Sequence, residues 1–172
     1  GPDYSGGLDP LLDWDVFHRT IAAEQWLGHN DGYALNSNNY RVYFDPSDGK
    51  ADLISWDLDY TFLEDSWWGL NWWAPRGTLA AGCWYDPACL EAQRQAAASV
   101  SGAIDGVELS AKLAAWDALS SERAYADPRR ECTVENVAAY RQFVRDWLTI
   151  RPGYMQSFLG VLSDLFAPLP NQ

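Results

Sequence analysis

Between Trp14 and Leu27 the apolar residues Trp14, Phe17, Ile21 and Leu27 recur at roughly helical spacing, and Gly28 follows as a natural stop. Asp9-Pro10 and Asp13 precede this run as successive helix-start signals, since Asp caps free backbone N–H groups and Pro is tolerated at the first helical position. His29-Asn30-Asp31-Gly32 reads as a loop. The period then changes. Tyr40-Arg-Val-Tyr-Phe44 and Leu53-Ile-Ser-Trp56 are rich in strand formers, and the turn chemistry of Asp45-Pro-Ser-Asp-Gly-Lys50 between them predicts a β-hairpin. Trp67 to Pro75 reads as an irregular aromatic loop. Asp86-Pro87 caps a helix reaching about Ser101, and Val107 to Leu119 carries Leu109, Leu113 and Trp116 on one helical stripe. Thr133 opens a helix with Val137, Tyr140, Val144, Trp147 and Leu148 on one face. Pro152-Gly153 is expected to break it, and Tyr154 to Phe166 to form a last apolar helix. The fold class is α+β, mainly α, with one hairpin in a single domain over residues 1–172.

Composition narrows the picture. The 172 residues are 48% apolar and 15% aromatic, which suits a chain that buries a core and argues against disorder. No run of eighteen apolar residues spans a membrane. A formal charge of −12 repels phosphate backbones and anionic lipid, so nucleic acid and membranes are not expected partners, while cations and basic peptides are compatible. Gly1-Pro2-Asp3 reads as the stub of a protease cut or as an internal boundary, so the numbering is expected to begin mid-protein. Cys83 and Cys89 stand six apart in a turn-rich stretch, where a small disulfide loop or two buried thiols would fit; Cys132 is left over.

The hairpin gives the polar residues around it a meaning. In an antiparallel pair the start of the first strand lies beside the end of the second, so Asn39 and Asp57 are expected within side-chain reach across one cleft. Asp31 and Asn36 show the D-x-x-x-x-N spacing of kinase catalytic loops. Asn39 is the stronger metal candidate by context because it leads directly into a strand, and Asn36 remains the alternative. Asp57 and Asp59 flank one residue, so in an extended segment their carboxylates share a face, as a divalent cation requires. Trp56, Leu58 and Phe62 suggest that this pair is partly buried. Glycoside hydrolysis needs carboxylates on opposite sides of a sugar, which so close a pair does not offer. Asp45, Asp48 and Asp52 around Gly49 fail the spacing of an EF-hand and read as an ordinary turn. His18 reads as structural, and His29 as ordering the Asp31 loop. The tryptophans of 67–73 read first as packing residues and second as a stacking surface for sugar or peptide.

The block N-D-G-Y, N-N-Y-R-V-Y-F-D-P and W-D-L-D-Y-T-F, together with the Tyr140–Tyr154 stretch and its Arg151-Pro152, resembles the CotH family of secreted, spore-coat-type atypical protein kinases. The resemblance covers most of the chain and implies a kinase-like fold, Mg²⁺ and ATP as cofactors, and phosphorylation of protein Ser/Thr hydroxyls outside the cell or on a cell or spore surface. It implies Asp31 as the catalytic-loop Asp, Asn39 as the metal Asn, and Asp57 as the Asp standing where kinases have D-F-G, with Asp59 assisting. Gly6-Gly7 is too short for a phosphate-covering loop, Lys50 sits in a turn tip and Lys112 on a late helix. These missing parts belong to an N-lobe, so the chain reads as a C-terminal catalytic lobe whose N-lobe lies elsewhere in a parent protein. The rival reading is a non-catalytic extracellular binding module, either a degenerate kinase lobe or a Trp-rich peptide- or glycan-binding domain.

Overall fold

The computed structural model describes residues 4–63, 71–72 and 74–166, the last three by their backbone alone. It is mainly helical, with one two-stranded antiparallel sheet. The chain divides into two compact units, Gly1–Val100 and Ser101–Gln172.

In the first unit, a 3-10 turn (Gly6–Leu8) leads to α1 (Trp14–Leu27). Of the two start signals, Asp13 is the cap: its side chain accepts the Val16 N–H at 2.9 Å, while Asp9-Pro10 lies in a turn. Gly28 ends the helix in the left-handed region (φ 62°), and its N–H bonds back to the carbonyls of the last turn. Phe17, Ile21, Ala22 and Trp26 are buried. Each large apolar side chain removed from water contributes about 1.5–3 kcal/mol. One helical turn, α2 (Tyr33–Asn36), follows; its four residues were too few to register as a periodic pattern.

The hairpin forms as expected, with β1 (Tyr40–Phe44) paired to β2 (Ala51–Ser55) and Tyr40 opposite Ser55. Only Leu53 of the ten strand residues is buried; Thr20 Oγ1 of α1 donates to its carbonyl at 3.0 Å. The cysteines sit on helices rather than in a free turn. Cys83 lies in α3 (Thr78–Trp84) and Cys89 in the first turn of α4 (Pro87–Asp105), and the two are bridged. Cys132 is free and exposed. Residues 64–70 and 73 of the aromatic loop lie outside the described residues; Trp72 is buried.

In the second unit, α5 (Leu109–Ala126) buries none of its residues. The stripe expected there is not a core stripe, since Trp116 is 62% and Leu119 78% exposed. Asp117 of α5 instead takes ion pairs from Arg141 and Arg145 of α6 (Val134–Phe166). The expected break at Pro152-Gly153 does not occur, because α6 runs through both residues. Trp147, Arg151, Met155, Phe158 and Leu162 are all buried, so the i, i+3, i+4 stripe continues straight across the proline. That burial offsets a local cost of about 3 kcal/mol for proline in a helix interior. Among the described residues, no helix is long and apolar enough to cross a membrane.

Candidate functional site at the open end of the hairpin

The loop between α1 and β1 turns a run of asparagines onto one carboxylate. Asn36 Nδ2 donates to Asp31 Oδ1 at 2.6 Å, while Asn38 and Asn39 donate to Oδ2 at 3.1 and 2.8 Å. An ionised carboxylate only accepts, so the amide nitrogens face Asp31 and the amide oxygens are left available as hard ligands. Asn39 is held in the left-handed region (φ 47°), as is Ser37 (φ 54°). Asparagine tolerates that conformation better than most residues.

Glu24 builds the floor of this loop. It is 1% exposed, and its carboxylate accepts the backbone N–H groups of Tyr33 and Ala34 at 3.4 and 3.2 Å and the Ser55 hydroxyl at 2.7 Å. One side chain of α1 thus caps α2 and ties it to β2. Burial pushes the Glu24 carboxyl above its ordinary range, and the hydrogen bonds from Ser55, Ala34 and Tyr33, together with nearby His29, pull the other way. His29 is fully buried, its Nδ1 3.2 Å from the Tyr60 carbonyl, which ties the residue at the start of the Asp31 loop to the segment after β2. Gly32 is required by proximity: a Cβ there would stand 2.6 Å from the His29 ring and 2.8 Å from the Glu24 carboxylate. Tyr33 fixes the far side by accepting the Leu79 N–H at 2.9 Å and by edge contact with the Tyr40 ring at 4.7 Å.

Glu24 did not emerge from the sequence, and Asn38, part of the N-N-Y block, carried no role of its own there. The signal for Glu24 was present, since it falls three positions after Ile21 and seven after Phe17, on the buried stripe of α1. A carboxylate on such a stripe must find donors.

The second half of the site is looser. The Trp56 N–H donates to the Asn39 carbonyl at 2.8 Å, so Trp56, not Asp57, continues the register opposite Asn39, and Asp57 follows one position beyond it at the open end of the hairpin. Asp57 also has a positive φ (53°). Contrary to expectation, its surroundings are not buried: Trp56 is 54% and Leu58 47% exposed, and Asp57 and Asp59 are exposed as well. Trp56 is covered by the Arg41 guanidinium, 4.2 Å from the ring centre, rather than by core. The carboxylates of Asp31, Asp57 and Asp59 do not all come within 4.8 Å of one another. The loop therefore gathers Asp31, Asn36, Asn38 and Asn39 by hydrogen bonds, while Asp57 and Asp59 stand beside that cluster without joining it.

The remaining candidates resolve simply. Asp45 and Asp48 accept backbone N–H groups within the hairpin turn, which is ordinary turn chemistry. His18 is buried, with Nδ1 2.8 Å from Gln93 Oε1, and burial holds its pKa below the ordinary value. No model of a known protein family matches the chain, and no curated protein matches it either.

Proposed function

We propose that the chain is the catalytic lobe of a CotH-like atypical protein kinase that transfers a phosphoryl group from Mg²⁺·ATP to Ser/Thr hydroxyls of proteins outside the cell. The observation that carries this reading is the grip of Asn36, Asn38 and Asn39 on Asp31. A carboxylate has about four lone-pair positions, and the three amides leave one of those on Oδ1 to accept the proton of an incoming hydroxyl. Phosphoryl transfer asks little covalent chemistry of the protein and much positioning, which such a grip supplies. Asn39, with Asn36 as the alternative, would offer an amide oxygen to the metal. Asp57, with Asp59 assisting, would supply the carboxylate, and an exposed carboxylate beside the cluster suits a ligand that closes on Mg²⁺ only when nucleotide arrives. The Cys83–Cys89 bridge is compatible with an extracellular location.

A second observation favours a partner surface. The hairpin presents Tyr43, Phe44, Ile54 and Trp56 to solvent, with Phe44 67% exposed. In the kinase reading this surface receives the N-lobe of the parent protein. In the rival reading it is the recognition face of a non-catalytic extracellular module.

Two variants of the parent protein separate the readings. Asp57→Ala should lower both Mg²⁺-dependent nucleotide binding and phosphotransfer. Asp31→Ala should leave nucleotide binding largely intact and lower kcat by ~10²–10⁴-fold, the usual contribution of a general acid or base. Nucleotide titration and a phosphate-transfer assay measure both. Full transfer activity in Asp31→Ala would overturn the assigned mechanism, and an inactive but partner-binding wild type would favour the module.

A further inference from the structure

We propose that Cys83, Cys89 and His18 form a second, redox-gated site that takes up a thiolate-seeking divalent cation of the zinc class once the disulfide is reduced. This site is independent of the Asp31 cluster. A ring nitrogen of His18 and the two sulfurs all lie within 4.8 Å of one another, and all three residues are buried. Tetrahedral coordination at about 2.3 Å for sulfur and 2.0 Å for nitrogen places ligand atoms roughly 3.5–3.8 Å apart. The ring nitrogen already lies within 4.8 Å of both sulfurs. On reduction the two bonded sulfurs must separate to the tetrahedral spacing, and with the Cα atoms 5.1 Å apart this asks little movement of either helix.

The histidine is prepared for the role. Gln93 Oε1 faces Nδ1, and Gln93 Nε2 donates to the His18 carbonyl at 3.3 Å, so the amide fixes both the ring and its backbone. With the Nδ1 proton held by Gln93, Nε2 keeps a lone pair and has no hydrogen-bond partner among the described residues. A ligating histidine whose other nitrogen donates to a carbonyl is the usual outer-shell arrangement of metal sites. Trp14 stacks on the ring at 5.5 Å and restricts it further. Cys89 lies in the first turn of α4, where the helix dipole favours an anionic sulfur.

The cluster is reachable. A cleft of about 570 Å³ between α1 and α4 is lined by Ser5, Trp14, His18, Arg19, Cys89 and Ser99 among others. Three protein ligands leave a fourth position, which the cleft can fill with water or a small donor. In the oxidised chain the sulfurs are bonded to each other and the site is closed. An external dithiol opens it: the S–S bond accepts two electrons and two protons to give two thiols, and the reductant closes to its own disulfide. Binding of the cation then releases the two thiol protons.

The test uses the whole chain, with Co²⁺ as a spectroscopic probe and Zn²⁺ as competitor. After treatment with a dithiol and its removal under anaerobic conditions, one Co²⁺ per chain should bind with sulfur-to-cobalt charge-transfer absorption, and Zn²⁺ should displace it. The oxidised chain should show no such band. His18→Gln should weaken binding at least tenfold, and Gln93→Leu by ~10–100-fold, the usual effect of removing an outer-shell partner. Circular dichroism follows the fold throughout. The proposal is overturned if the folded, reduced chain takes up no Co²⁺, or if the oxidised chain binds equally well. It is also overturned if both variants bind like the wild type, or if reduction dissolves the helices even with the ion present.

Discussion

The two sides of the candidate site are held by different physics. On the loop side, Asp31 is gripped by three amides, and the loop rests on a buried carboxylate that caps α2 and bonds to β2. At the strand exit, Asp57 and Asp59 are exposed and accept no hydrogen bond among the described residues. A preorganised group acts without reorganising at the moment of reaction. A solvated carboxylate is free to follow a cation into place. The difference assigns fixed geometry to the proposed base and adaptability to the proposed metal ligands.

The largest way to break this comparison is at its foundation. Glu24→Ala should leave the Tyr33 and Ala34 N–H groups and the Ser55 hydroxyl without their acceptor inside the protein. Each buried polar group so orphaned costs about 1–3 kcal/mol. Because these costs are not additive, we expect a total destabilisation of about 2–4 kcal/mol in denaturant unfolding. Asp57→Ala and Asp59→Ala should stay within about 0.5 kcal/mol of wild type, as for exposed positions generally. Equal losses at Glu24 and Asp57 would erase the distinction.

A smaller effect lies in the pH dependence. Burial raises the Glu24 pKa in the folded chain, so the folded state holds this proton more tightly than the unfolded state. Its contribution is then fully present below the ordinary carboxylate pKa and is lost as pH rises through the raised folded value. Glu24→Gln removes the titrating group. Unfolding free energies for wild type and variant should diverge across this window, with wild type losing ground toward neutral pH, and should run parallel above it. Parallel curves throughout would mean that the donors around Glu24 cancel the effect of burial.

How much of this was legible in the sequence follows from the range of each signal. α1, its Asp13 cap, its Gly28 stop and the hairpin are local patterns, and they appear where the residues put them. α2 and α3 are too short for periodicity to reveal. The continuation of α6 through Pro152 was hidden because burial of Met155, Phe158 and Leu162 is a tertiary gain, whereas the cost of proline is local. Within the site, strand pairing alone brings the end of β2 beside Asn39, although the register sets Trp56 opposite that residue and Asp57 one position further on. The Glu24 floor was not legible in this way, because it depends on which face of α1 meets the following loop. Nor was the exposure of Trp56 and Leu58 foreseen, since apolar character at a strand end gives no direction by itself.

The smallest expected effect separates backbone strain from function at one residue. Asn39 sits at φ 47°, in the left-handed region where glycine has no steric penalty, and its side chain donates to Asp31. Asn39→Gly relieves the conformational cost but also removes one net hydrogen bond of about 0.5–1.5 kcal/mol. Stability should therefore change by no more than about 1 kcal/mol in either direction. Under the proposed function, Mg²⁺-dependent nucleotide binding by the parent protein should nevertheless fall, because the amide oxygen goes with the side chain. Asn38→Gly is the control: it also removes a donor to Asp31, but from an exposed residue to which no metal role is assigned. If both variants keep nucleotide binding and lose only phosphotransfer, Asn39 acts only by holding Asp31, and the metal role passes to Asn36. If Asn39→Gly loses binding and Asn38→Gly keeps it, the strained conformation at Asn39 is explained by the ligand it presents.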